Sequence, residues 1–96
     1  MLNLKDMFRL YRLVGQHIPK EKPEDVLQFV STVIDNMIMA GQYSNYINAV
    51  LLTSGKTLDD IKDLPTSEII RLFTQGLIEN KMFAFMDFLE KVNFNG

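Results

Sequence analysis

The segment "VLQFVSTVIDNMI", residues 26–38, sets apolar side chains at Val26, Phe29, Val30, Val33, Ile34, Met37 and Ile38. Steps of three and four residues bring these onto one side of an α-helix, which turns by about 100° per residue. The pattern recurs in Leu4, Met7, Phe8, Tyr11, Val14 and Ile18, in Tyr43, Tyr46, Ile47, Val50 and Leu51, and in Ile69, Ile70, Phe73, Leu77 and Ile78. No stretch alternates apolar and polar residues, and no Asn-Gly or Asp-Gly pair separates two apolar runs, so strands and hairpins have no support. The chain is expected to be all-α, a small bundle of five or six short amphipathic helices.

Punctuation residues divide the helices. Asn3 suits an N-cap, with Asp6 favourable in the first turn. Pro19 and Pro23 bracket the polar link "PKEKP", and Pro23 is expected as the first residue of the second helix, followed by Glu24 and Asp25. Gly41 and Gly55 are expected to close the second and third helices in the left-handed conformation that glycine adopts without strain. Thr57 caps a short helix, "LDDIKDL", with Asp60 completing a capping box, and Pro65 ends it. Thr66 or Ser67 opens the fifth helix. At Asn80 the pattern fits either a brief interruption before a terminal helix or one continuous helix.

With 96 residues the chain reads as a single helical domain over residues 1–96, long enough to bury roughly two thirds of its unfolded surface without metal or disulfide staples. Hydrophobic residues make up 47% and charged residues 23%, the balance of a folded chain rather than a disordered one. The absence of cysteine excludes disulfides, thiolate metal sites and cysteine nucleophiles, and fits a reducing compartment. No apolar run approaches the 18 or so residues of a membrane span. The opening "MLNLKDMFRLYRLV" interrupts its apolar residues with charges, unlike a secretory signal. A soluble, cytoplasmic protein is expected.

Candidate chemistry is sparse. "TSGKT", residues 53–57, resembles the end of a phosphate-binding loop, but Val50 stands where that loop requires glycine and no strand precedes it. A helix C-cap followed by an N-cap explains the same residues. Asp59, Asp60 and Asp63 lack the alternating ligands, turning glycine and distal glutamate of a calcium loop, and read as a solvated helix face. His17, the one histidine, sits near a helix C-terminus without a nucleophile or carboxylate close in sequence. No catalytic, cofactor-binding or metal-binding residues are assigned, and an enzyme is not expected.

Two features remain as protein-interaction candidates. Lys5, Arg9 and Arg12 share one face of the first helix, with Gln16 alongside and Lys20 and Lys22 following. This basic face suits an acidic protein partner better than nucleic acid, given a net charge of −2 and a pI near 5.2. The second feature is "NKMFAFMDFLEKVNF", residues 80–94. Met82, Phe85, Met86, Leu89 and Val92 form an ordinary core stripe, while Phe83, Phe88 and Phe94 flank it. Apolar positions thus cover roughly two thirds of the circumference, leaving Ala84, Asp87 and Lys91 outward with Glu90 at the margin. Either the helix is enclosed from several sides, or the flanking rings are shared with a partner.

The span "LLTSGKTLDDIKDLPTSEIIRLFTQGLIENKMFAFMDFLEKV", residues 51–92, resembles the tail assembly chaperones of long-tailed bacteriophages. The resemblance lies in the order of parts: a Gly-x-x-Leu-Asp-Asp-Ile-x-x-Leu turn and short helix, Ser-Glu-Ile-Ile opening a helix, "GLIEN", then a Phe-rich terminal helix. It implies a helical protein of the host cytoplasm that coats the tape measure protein, helps recruit tail tube subunits and is absent from the finished particle. It also implies, often, a longer product made by frameshifting. Apart from the resemblance, homo-oligomers formed through the same Phe and Met surface are expected before a client arrives. The family has no fixed site to carry over to individual residues. The side chains suit such a role in themselves, since exposed Phe and Met accept apolar helices in many registers.

Two other readings stand beside it. A helix-turn-helix regulator would use residues 57–80, where "SEIIRLFTQGLIEN" offers Arg71, Gln75 and Asn80 to bases but also Glu68 and Glu79, which repel phosphates. A structural or connector protein of the phage particle would fit the same composition.

Overall fold

The computed structural model describes residues 2–21 and 23–91, apart from the side chain of Glu90. Six α-helices pack around one core, with no strand among the described residues. They are α1 (Leu4–Val14), α2 (Val26–Met39), α3 (Tyr43–Ser54), α4 (Leu58–Ile61), α5 (Thr66–Glu79) and α6 (Met82–Lys91). A 3₁₀ turn, Gly15–His17, follows α1.

The helix ends follow local chemistry. The Asn3 side chain accepts the Asp6 N–H at 2.8 Å. Gly41 and Gly55 both take left-handed backbones, φ 74° and 71°, as expected. At α4 the capping box is complete: the Thr57 hydroxyl accepts the Asp60 N–H and the Asp60 carboxylate accepts the Thr57 N–H at 2.9 Å. Asn80 ends α5, and Lys81, at φ 56°, turns the chain into α6. Of the two readings the sequence left open, an interruption and a continuous helix, the first is the one observed.

Three boundaries differ from expectation. Helix α2 begins at Val26 rather than Pro23, because the Asp25 carboxylate caps it by accepting the Leu27 N–H at 2.9 Å. Helix α1 stops at Val14, since Ile18 precedes Pro19 and is held extended. Helix α4 is a single turn that ends at Ile61, well before Pro65.

The core draws on every helix, with Leu10, Val30, Met37, Val50, Ile61, Phe73 and Met82 as its most enclosed larger side chains. Helix α3 packs chiefly against α5 and α1 and also meets α2. The helix enclosed on several sides is therefore α3, and α6 lies at the flank against α5 and α1. Close approach of α3 and α5 depends on Gly76, where a Cβ would fall 2.8 Å from the Thr53 carbonyl oxygen. The buried Asn80 amide accepts the Leu2 N–H at 2.7 Å and donates to the Gly76 carbonyl at 2.8 Å, tying the N-terminal segment to the end of α5. At the other end of the bundle the Asn36 amide donates to the His17 carbonyl at 2.9 Å.

The apolar stripes are rotated from those read in the sequence. On α1 the buried residues are Met7, Leu10 and Val14, while Leu4 and Phe8 are exposed. Helix α1 turns Leu10 onto the core because it docks on α3. On α3 the buried set is Ala49, Val50 and Thr53, with Tyr46 half-buried and Tyr43 outside. Burial holds the Tyr46 phenol above its ordinary pKa.

A candidate interaction surface on two faces of the bundle

The terminal helix divides its phenylalanines. Met82, Met86 and Leu89 are buried, and Phe85 is half-buried against the core. Phe83 is also half-buried. Its ring meets Phe29 of α2 edge-on with centroids 5.7 Å apart. Phe88 is different, with 54% of its surface exposed. Val92 and Phe94 lie outside the described residues. Of the three flanking rings, Phe83 thus belongs in good part to the core and Phe88 faces outward.

Phe88 does not stand alone. Phe85, one turn earlier, meets Phe8 of α1 edge-on at 5.3 Å. Leu4, one turn before Phe8, is 64% exposed. Phe8 and Phe85 thus meet across the seam between α1 and α6, with exposed Leu4 one turn before Phe8 on α1 and exposed Phe88 one turn after Phe85 on α6. Among the described residues methionine contributes little to the surface, because Met7, Met37, Met82 and Met86 are buried and only Met39, at the end of α2, stands out.

The basic face lies elsewhere on α1. Lys5, Arg9, Arg12 and Gln16 are all exposed. Arg9 forms an exposed ion pair with Asp6 at 3.6 Å, an interaction worth about 0–1 kcal/mol. Arg9 and Arg12 overhang an open groove of about 660 Å³ between α1 and α3. Its floor is Leu13, Leu51 and Leu52, and its far rim is Asn45 and Asn48. Of the groove residues of α3, Leu51 stands in the stripe read from the sequence, while Asn45, Asn48 and Leu52, also at helical spacing, form a second stripe beside it.

The other motifs resolve into local structure. In "TSGKT", Gly55 closes α3 by donating its N–H to the Leu51 carbonyl at 3.1 Å, and the Thr53 hydroxyl donates to the Ala49 carbonyl at 2.9 Å. Asp59 pairs with Lys62 at 3.4 Å, while hydrogen bonds from Thr57 hold the Asp60 carboxyl below its ordinary pKa. No three His, Asp or Glu side chains converge as metal ligands among the described residues. On α5, the Gln75 amide donates to Glu79 at 3.0 Å, and Asn80 is buried in its own hydrogen bonds. Arg71 and Gln75 are exposed on α5. Among the described residues no helix is long and apolar enough to cross a membrane.

These features define a small all-α protein with two separate surface features, an aromatic seam and a basic, leucine-floored groove. No family model, curated protein or solved structure matches the chain.

Proposed function

We propose that the chain is a non-catalytic tail assembly chaperone of a long-tailed bacteriophage or prophage. In this reading it works in the host cytoplasm, holds apolar helices of the tape measure protein in solution and assists assembly of the tail tube. The reading starts from the resemblance over residues 51–92. The observation that carries it is Phe88, a large ring left exposed on α6 beside the Phe85–Phe8 pair. Exposed aromatics at a helix–helix seam suit a partner that presents an apolar helical face, since such a helix can lay its stripe along the seam. Weak single contacts suffice where many copies line one elongated client.

The test is co-expression with a long helical tape-measure-type protein. The expected result is a soluble complex that Phe88→Asp abolishes while the variant keeps its helical content. A chain that leaves such a client insoluble, or a Phe88→Asp variant that holds it as well as the parent, would overturn the proposal.

A further inference from the structure

The groove between α1 and α3 has a definite chemical preference. Two guanidinium groups, Arg9 and Arg12, overhang a floor of Leu13, Leu51 and Leu52. Arginine forks favour carboxylates, and the leucines favour apolar side chains beside them. The matching occupant is a short segment carrying acidic and leucine residues together.

The chain itself presents such a segment. Around α4, Leu58 and Leu64 are exposed large apolar residues, and Asp59 and Asp63 are exposed as well. Ile61 is buried and anchors the turn to the core, so its outer side is displayed on a fixed support. Asp60 is engaged in the capping box, which leaves Asp59 and Asp63 as the carboxylates to offer. Asp59 has Lys62 nearby at 3.4 Å, an exposed pair that exchanges partners at little cost. Asp63 is the stronger anchor.

We propose that the groove receives the α4 turn of a second copy of this chain. Asp63 and Asp59 meet Arg12 and Arg9, and Leu58 and Leu64 rest on the leucine floor. The two surfaces share no residue, so one protomer uses both at once. The contact is head-to-tail and builds rings or open chains rather than a closed two-fold dimer. A net charge of only −2 opposes such association weakly. The contact is independent of the client-holding reading and is tested without a client.

Sedimentation velocity of the full chain at low and high salt reads the contact directly. Concentration-dependent assembly is expected at low salt and should weaken as salt screens the pairs. Arg12→Glu alone, or Asp63→Lys alone, should raise the dissociation constant about tenfold or more. An equimolar mixture of the two variants should assemble again, because one contact in the mixture is native and the other has both charges exchanged. Both positions are exposed, and Asp63→Lys puts a cation just past the end of α4, where the helix dipole favours it. Asp63→Lys therefore carries the test even if Arg12→Glu perturbs α1. A monomeric parent chain, variants that assemble like the parent, or a mixture no better than its components would overturn the proposal. So would a monomer that binds polyglutamate or a DNA duplex through Arg12, since the groove would then serve a different partner.

Discussion

Gly76 of α5 lies against the backbone of Thr53 in α3, so close that a Cβ at position 76 would stand 2.8 Å from the Thr53 carbonyl oxygen and 2.9 Å from its Cβ. Gly76→Ala would gain about 1 kcal/mol of helix propensity. It would also have to push two packed helices apart, and overpacking typically costs about 1–3 kcal/mol. The expected outcome is a net loss of about 1–2 kcal/mol, read as a lower urea midpoint. An alanine variant as stable as the parent would show that the helices separate freely.

Asn80 accepts a hydrogen bond from Leu2 across nearly the whole length of the chain and donates to Gly76. Asn80→Ala leaves the Leu2 N–H without this acceptor and should cost about 1–3 kcal/mol. Hydrogen exchange at the Leu2 amide should speed up more than at amides near Val30. Equal changes at both sites would mean that Asn80 stabilises the bundle as a whole and not the N-terminal attachment.

The Asp60 carboxyl has a pKa below its ordinary value because it accepts the Thr57 N–H and pairs with the Thr57 hydroxyl in the cap. A carboxyl whose folded pKa is depressed stabilises the fold fully above its unfolded value. That contribution disappears as pH falls through about 4 and below. The Thr57 amide resonance should therefore shift in that acidic window in the parent chain. In Asp60→Asn it should stay nearly constant, because no charge is left to titrate. Thr57→Ala should cost about 1 kcal/mol, and an unchanged midpoint would mean that α4 does not need its cap.

Phe83 and Phe88 should respond to the same substitution in opposite ways. Phe83→Asp sets a charge against Phe29 and the core, and should cost about 2–4 kcal/mol. Phe88→Asp replaces an exposed ring and should cost no more than about 1 kcal/mol, mostly helix propensity. Thermal melts of the two variants check the contrast. A Phe88→Asp variant that unfolds would put that ring in the core.

What was legible in the sequence was decided by near neighbours. Gly41, Gly55 and the Thr57–Asp60 box all depend on backbone within a turn of the residue concerned, so composition and spacing reveal them, whereas the break at Asn80 also rests on its distant partner Leu2 and was open in the sequence. The choice between overlapping stripes did not depend on neighbours. On α1, Leu4–Phe8–Tyr11 and Met7–Leu10–Val14 are equally good helical faces, and docking on α3 selected the second. Phe83 and Phe88 likewise differ because Phe83 packs against the core beside Phe29, more than fifty positions away in the sequence. The groove was hidden for the same reason, since Arg12 and Asn48 become neighbours only when α1 and α3 pack together.

Lys81 holds the one non-glycine left-handed backbone among the described residues. In an ordinary residue this conformation costs roughly 1–2 kcal/mol. Were Lys81 to relax into the right-handed form of its neighbours, α5 and α6 would join into one straight helix from Thr66 to Lys91, about 39 Å long. Met82, Met86 and Leu89 would then leave the bundle and stand in water. At about 1.5–3 kcal/mol for each buried side chain, the burial of this stripe outweighs the strain of one residue, and Lys81 is held in its left-handed turn by the packing of α6.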